Sequence, residues 1–128
     1  MKSLEKNYEN INKETPAVTI LTGDFNSRSP LFWEYGIENR EGRVLSNFLM
    51  SNNLEGQINE PTHIREDGSQ TCIDLICTDQ PYTFTEFGVF PSLDSHSKHN
   101  IIHGSLNFHI PCPPPYKRKV WGLQNRKN

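Results

Sequence analysis

The sequence has 128 residues, a hydrophobic fraction of 34 % and a formal net charge of −2 at pH 7. This length suits one domain or part of one, and the apolar content predicts a thin core. No run of about 18 apolar residues and no apolar N-terminal stretch occurs, which argues against a membrane span and a secretory signal. Cys72, Cys77 and Cys112 lack zinc-like spacing and predict reduced thiols in an intracellular protein.

The charges are distributed unevenly along the chain. The first 94 residues carry 7 Lys/Arg and 15 Asp/Glu, whereas the rest carry 6 Lys/Arg and no acid. A basic segment of this kind can lie along a phosphate backbone, so Lys117, Arg118 and Lys119 are candidate nucleic-acid contacts. A solvated linker is the more ordinary explanation of such a short cluster, and the prolines from Pro111 onward favour a stiff spacer.

In the first half of the chain, apolar spacing predicts a short amphipathic helix over residues 3–14. The β-branched run at 18–22 predicts a buried strand, and a long polar loop over 23–39 follows it. One face of 41–53 carries the apolar residues Val44, Leu45, Phe48 and Leu49, which predicts a helix that stops at Asn52 and Asn53.

The second half reads mostly as strands. Residues 60–64 form an extended approach broken by a proline, and 66–69 form a turn. Residues 71–78 predict the second clear strand. Residues 83–90 predict a strand with a bulge, and 100–110 predict the last strand, with alternating apolar and polar positions.

This order of elements predicts an α/β (α+β) fold: part of a two-sheet β-sandwich flanked by helices, of which the chain supplies only the C-terminal half. A sheet of so few strands needs a partner sheet to bury its second face. The expected divisions are an N-terminal helix and lead-in (1–17), a partial domain (18–110) and a Pro-rich basic tail or linker (111–128).

The segment Gly23-Asp24-Phe25-Asn26, at the end of the first strand, combines an acid and an amide two residues apart. Side chains alternate along extended backbone, so Asp24 and Asn26 are expected to point the same way. A carboxylate can share a cation or a proton, and an amide can donate to a phosphoryl oxygen. An ordinary turn after a strand explains the motif alone equally well.

Three further motifs follow in order: Glu60-Pro61-Thr62-His63, Thr71-Cys72-Ile73-Asp74-Leu75-Ile76, and Ser97-Lys98-His99-Asn100-Ile101-Ile102. The ordered set resembles the C-terminal half of the endonuclease/exonuclease/phosphatase superfamily. More closely, it resembles the endonuclease domain of non-LTR (LINE-type) retrotransposons. The similarity runs from about Val18 to Trp121, and the closing proline-rich segment looks like the connection to a reverse transcriptase domain.

The resemblance implies a Mg²⁺-dependent hydrolysis that nicks DNA phosphodiesters, in the nucleus. It implies that Asp24 and Asn26 flank the scissile phosphate and that Asp74 orients the catalytic His99. Independently, an acid inside an apolar strand needs a partner, and His99 is the expected one. Thr62 and Thr71 occur where the family contacts substrate and are candidate substrate-binding residues, although they suit plain strands equally.

Two departures from the family pattern limit the inference. Lys98 stands where many members have an acid next to the histidine. No position among the first 22 residues matches the family's metal-binding glutamate, so no metal ligand is assigned, and we expect poor Mg²⁺ binding and little cleavage by this chain alone. The missing N-terminal half or a reverse transcriptase domain is an expected partner. The alternatives are a non-catalytic nucleic-acid-binding remnant and a superfamily phosphatase acting on small phosphoesters.

Overall fold

A computed structural model describes residues 2, 4–6, 18–107 and 112–117. Residues 2 and 4–6 are helical, and the remainder of the helix predicted for 3–14 lies outside the described residues. The end of the last predicted strand, Arg118 and Lys119 also lie outside them. No helix in the described part of the chain combines the length and apolar character that crossing a membrane requires.

Within residues 18–107 the chain forms one α-helix, one 3₁₀ turn and seven strands. In chain order these are β1 (Ile20–Asp24), α1 (Arg40–Ser51), β2 (Glu55–Gly56), β3 (His63–Ile64), β4 (Gln70–Thr71), β5 (Asp74–Thr78), the 3₁₀ turn (Pro81–Thr83), β6 (Phe84–Phe90) and β7 (Ile101–Leu106). The mixed α/β architecture predicted from the sequence is confirmed.

The strands form three small antiparallel sheets. The first has the order β1-β5-β2, so β5 lies in its centre. β3 and β4 form a hairpin closed by the turn at 66–68, and β6 pairs with β7. The bulge predicted in β6 is present between Phe84 and Glu86. β7 also contacts β5, which brings the second half of the chain against the central strand.

The core surrounds β5. Leu75 and Cys77 are fully buried, and Ile76, which alternates with them, is 6 % exposed, so both faces of the strand are covered. These side chains belong to one apolar cluster with the buried face of α1, and partly buried residues of β6 and β7 pack against it. The thin core expected from composition is therefore concentrated on one strand.

The first predicted strand was placed two residues too early and was wrongly expected to be buried. β1 runs from Ile20 to Asp24, because Thr19 leaves the sheet and its N–H binds Asp79 Oδ1 at 2.8 Å. Four of the five β1 residues are exposed, including Ile20 at 38 %. Within the described sheet β1 pairs only with β5, so its outer edge has no strand neighbour.

The continuous strand predicted over 71–78 is also wrong, since Cys72 and Ile73 separate β4 from β5. The backbone N–H groups of Ile73 and Asp74 bind Thr62 Oγ1 instead of a neighbouring strand. The chain therefore turns from the β3–β4 hairpin into the main sheet at this point, and Asp74 begins a strand where the sequence placed it in the middle of one.

Helix α1 (Arg40–Ser51) lies close to the predicted range, 41–53, and stops at Asn52 as expected. Asn39 is the N-cap, and Asn52 is the C-cap, with Asn53 in the left-handed region at φ 53°. Leu45, Phe48 and Leu49 are buried as expected. Val44 was predicted on the same face, but it is 42 % exposed.

Candidate active site

Two aspartates lie side by side where β1 and β5 pair. Asp24 ends β1, Asp74 begins β5, and the antiparallel register places them directly opposite each other. The side chain of Asp74 is 13 % exposed and that of Asp24 is 48 % exposed. Adjacent carboxylates repel each other unless a proton, a cation or an imidazolium lies between them, so this arrangement calls for a third group.

The imidazole of His99 is that third group. Its Nδ1 lies 2.9 Å from Asp74 Oδ2, and its Nε2 lies 4.0 Å from Asp24 Oδ2. Because an ionised carboxylate only accepts hydrogen bonds, Nδ1 is the donor to Asp74. In the neutral ring Nε2 is then an acceptor on the side of Asp24. The pairing of Asp74 with His99 that the sequence predicted is present, and we call Asp24, Asp74 and His99 the site cluster.

A sharp turn follows Asp24. Asn26 donates its N–H to Asp24 Oδ1 at 2.9 Å and has a left-handed backbone with φ 47°. Phe25 donates its N–H to the Ile73 carbonyl oxygen at 2.9 Å and packs against the core. Asn26 lies beyond the strand, so the alternation expected to align it with Asp24 does not apply. Its position near Asp24 comes from the turn.

Asn39, which the sequence analysis did not single out, ties this turn to helix α1. Its Oδ1 accepts the N–H of Arg28 and the N–H of Gly42, both at 2.8 Å. Its Nδ2 donates to the Asn26 carbonyl oxygen at 3.3 Å. The approach is close, because a Cβ atom on Gly42 would overlap the Arg28 carbonyl oxygen. An asparagine just before a predicted helix is a recognisable N-cap signal.

The two candidate substrate-binding threonines are buried. Thr62 is fully buried, and its Oγ1 accepts the N–H groups of Ile73 and Asp74. Thr71 is 8 % exposed, and its Oγ1 lies 3.3 Å from His63 Nδ1. Thr62 therefore contacts the backbone of Asp74 in the site cluster, and Thr71 contacts His63.

A second histidine, also not anticipated, packs against the cluster. The rings of His63 and His99 have centroids 4.7 Å apart and are tilted by 50°. His63 and His99 also form an isolated antiparallel bridge. Burial lowers the pKa of His63 from its usual value, and the neighbouring His99 lowers it further. His63 is therefore held towards the neutral form beside the site cluster.

Lys98, which stands where the resemblance predicts an acid, is paired away from the cluster. Its Nζ lies 2.8 Å from Glu66 Oε1 in the β3–β4 turn. Hydrogen bonding and charge attraction from Lys98 lower the pKa of the Glu66 carboxyl. The added positive charge is thus partly compensated, and the backbone N–H of the neighbouring residue, His99, binds Ser97 Oγ at 3.2 Å.

A surface pocket of about 160 Å³ lies between the loop before α1 and the β3–β4 hairpin. The loop before α1 contributes Arg28, Trp33 and Tyr35, and the β3–β4 hairpin contributes Arg65 and Thr71. Trp33 and Tyr35 make an edge-to-face contact with centroids 5.5 Å apart. Neither arginine forms a salt bridge within the described part of the chain. The pocket therefore combines cationic and aromatic surface, and its lining residue Thr71 contacts His63, which packs against His99.

The site cluster contains part of what a divalent cation requires. One ligand atom from each of its three residues can be chosen so that all lie within 4.8 Å of one another. Mg²⁺ prefers oxygen ligands and keeps several waters, so two carboxylates suit it. However, Asp74 Oδ2 is already engaged by His99 Nδ1. The donor set fits a cation held mainly by Asp24, with Asp74 in support.

Comparison with known proteins places the chain in a family. The sequence pattern of the endonuclease–reverse transcriptase family matches residues 1–103, and the chain belongs to this family. It is similar in structure to the endonuclease domain of TRAS1, a telomere-specific non-LTR retrotransposon, with 23 % sequence identity and a TM-score of 0.69. No curated protein matches the chain.

The structural match covers 85 % of this chain and 52 % of the TRAS1 domain. The chain thus spans about half the length of the solved domain that it resembles. At this identity the likeness establishes the fold alone.

Proposed function

We propose that this chain provides one half of a retrotransposon-type endonuclease site that hydrolyses DNA phosphodiesters. The proposal rests on the arrangement of Asp74, His99 and Asp24: His99 Nδ1 hydrogen-bonds Asp74 Oδ2 at 2.9 Å, and His99 Nε2 lies 4.0 Å from Asp24 Oδ2. An imidazole oriented by a mostly buried carboxylate is suited to moving a proton at its second nitrogen. The family assignment suggests hydrolysis of a phosphodiester as the reaction class. The geometry suggests Asp24, Asp74 and His99 as the side chains that carry it out.

In the proposed reaction a water molecule attacks phosphorus while the bond from phosphorus to the DNA 3′ oxygen breaks, and that oxygen leaves as a 3′-hydroxyl after taking up the proton that His99 or Asp24 returns. Either His99 Nε2 or the Asp24 carboxylate accepts the proton of that water, since both face the same space. Asp74 keeps the His99 ring in one tautomer and stabilises its protonated form. The Asn26 amide donates to a phosphoryl oxygen. Mg²⁺, when held by Asp24, would neutralise charge on the phosphate.

We further propose that the chain alone cleaves little. In the part of the chain that the structure describes, the group of possible metal ligands contains two aspartates and no glutamate. Metal sites of this kind need their full ligand set. Among the described residues β1 is mostly exposed and its outer edge has no strand neighbour. This supports a requirement for a second half, which would supply the remaining ligands and pair with this strand.

A plasmid-nicking assay with Mg²⁺ tests both parts. We expect little nicking by the 128-residue chain, and His99-dependent nicking by a chimera that adds the unmatched part of the TRAS1 domain. Asp24→Asn, Asp74→Asn and His99→Gln should each abolish the chimera's activity, whereas Asp94→Asn, an exposed acid outside the site cluster, should not. An inactive chimera that binds DNA and folds would argue against the endonuclease function. Robust Asp24-dependent nicking by the chain alone would instead contradict the need for a second half.

The nucleic-acid substrate is favoured over a small phosphoester by the pocket between the loop before α1 and the β3–β4 hairpin, whose Thr71 contacts His63. Arg28 and Arg65 can contact phosphates, and Trp33 can stack on a base. A small phosphoester would leave this surface unused. The same assay run beside a sugar phosphate and a lipid phosphate separates the two substrate classes.

A non-catalytic remnant is the second candidate, and the exposure of β1 favours it. A remnant that has lost its packing partner should unfold over a broad temperature range. A sharp, cooperative melt of the 128-residue chain would argue against this candidate.

A further inference from the structure

Thr62 connects the segments that carry the two halves of the Asp74–His99 pair. Its Oγ1 accepts the N–H of Ile73 at 3.1 Å and the N–H of Asp74 at 3.0 Å. Its backbone carbonyl oxygen accepts the N–H of Asn100 at 2.7 Å, and its own N–H donates to the Thr71 carbonyl oxygen at 2.9 Å. One residue is thereby bonded directly to Asp74 and to the immediate neighbour of His99.

The Thr62 hydroxyl oxygen accepts hydrogen bonds from backbone N–H groups that no neighbouring strand accepts. Cys72 and Ile73 separate β4 from β5, and the N–H groups of Ile73 and Asp74 bind this side chain in place of a strand neighbour. A buried N–H without an acceptor is costly, so removing the hydroxyl would drive the start of β5 to move or to admit water. Either change shifts the Asp74 carboxylate relative to His99.

The same hydroxyl is poorly placed for a substrate. Thr62 is fully buried, and both lone pairs of its hydroxyl oxygen accept backbone N–H groups. We propose that Thr62 is a positioning residue that sets the geometry of the Asp74–His99 pair and does not touch substrate. The kinetic consequence of this role rests on the proposed endonuclease function, whereas the structural consequence does not.

The test compares Thr62→Val, which keeps the shape of the side chain but removes the hydroxyl, with Thr62→Ser, which keeps the hydroxyl. Thr78→Val is the matched control, because Thr78 is also fully buried on β5 and its Oγ1 accepts one backbone N–H, that of Gln80. The first readout is NMR of the full 128-residue chain, which records the ¹⁵N shifts of the His99 ring and the amide signals of Ile73 and Asp74.

In Thr62→Val we expect the two amide signals to shift and the His99 ring to lose its single tautomer. Thr62→Ser should keep both features of the wild-type spectrum, and Thr78→Val should leave them unchanged. An unchanged His99 signature in Thr62→Val, or an equal change in Thr78→Val, would overturn the proposal. This readout needs no activity, so it stands even if the endonuclease proposal fails.

The second readout is nicking by the active chimera. Displacing a catalytic pair by about 1 Å can cost about 100-fold in rate, so kcat should fall by about that factor in Thr62→Val, with KM within about twofold. Thr62→Ser should recover most of the rate. A raised KM with unchanged kcat would show that Thr62 contacts substrate and would overturn the positioning role.

If Thr62→Val does not fold, Thr62→Ser and the wild-type chain decide. The Ile73 and Asp74 amide hydrogens should exchange slowly with solvent in both proteins. Rapid exchange of these two amides in the folded wild-type chain would show that the hydroxyl does not hold them, which contradicts the proposal.

Discussion

The two strands that carry the site's acids differ sharply in their surroundings. β5, which begins with Asp74, is the central strand of its sheet and is buried on both faces. β1, which ends with Asp24, is an edge strand with four exposed residues out of five. The chain therefore builds the histidine-orienting side of the site from its own core. It supports the Asp24 side mainly through the turn after β1.

Thiol labelling gives the largest expected contrast between the strands. Burial raises the pKa of the Cys77 thiol in β5 to about 12. At pH 8 we therefore expect its alkylation in the folded chain to be roughly 1,000-fold slower than in urea, since the thiolate is the reactive form. Exposed Cys112 serves as an internal standard. A thiol introduced on β1 by Thr22→Cys should react rapidly. Equal protection of the two strands would contradict the difference in their burial.

Truncation of apolar side chains should give the next largest effect. Leu75→Ala removes a fully buried side chain of β5 and should lower the free energy of unfolding by about 2–5 kcal/mol. Ile20→Ala on β1 should cost less than about 1 kcal/mol, because its side chain is already 38 % exposed. Urea denaturation of both variants measures the difference. Similar losses would mean that β1 is as well packed as β5.

The turn that supports Asp24 can be weakened from helix α1. Asn39→Ala removes the N-cap of α1 and the acceptor for Arg28, and should cost about 1 kcal/mol. Asn39→Asp keeps the acceptor oxygen and should recover most of this loss. The measurement is the urea midpoint of each variant at pH 7. An Asn39→Asp variant as unstable as Asn39→Ala would assign the effect to the Asn39 Nδ2 contact with Asn26 instead.

The smallest expected effect is the pH response of His63, on the β3 side of the site. Its pKa is lowered from 6.5 in the folded chain, so the unfolded chain takes up the proton more readily. Neutral His63 therefore does not destabilise the folded chain above about pH 6.5, and the free energy of unfolding decreases as the pH falls below that value. His63→Gln should therefore lose less stability than the wild-type chain between about pH 7 and pH 5.

Urea midpoints at the two pH values measure this response. His96→Gln is the control, because His96 is exposed and lies outside the site cluster. A His63→Gln variant with the wild-type pH dependence would contradict the assignment.

Sequence patterns predicted this molecule best where a local rule determines the structure. The end of α1 at Asn52, the bulge in β6 and the contact of Asp74 with His99 all follow from spacing and residue chemistry. The sequence did not reveal that β1 would be exposed, because its apolar run is the same whether a partner sheet covers it or not. The division of 71–78 was hidden as well, since it depends on Thr62, about ten residues away. Thr62, Asn39 and His63 support the site through hydrogen bonds and ring contacts that the sequence motifs do not reveal.

The left-handed backbone at Asn26 restricts which substitutions the site can tolerate. At φ 47° a residue with a bulky or β-branched side chain is strained, so glycine, aspartate and asparagine are the natural occupants. Glycine lacks a side-chain amide, and aspartate would add a third negative charge beside Asp24 and Asp74. A saturation library at this single position should therefore separate foldable variants from functional ones, with asparagine as the one residue that satisfies both selections.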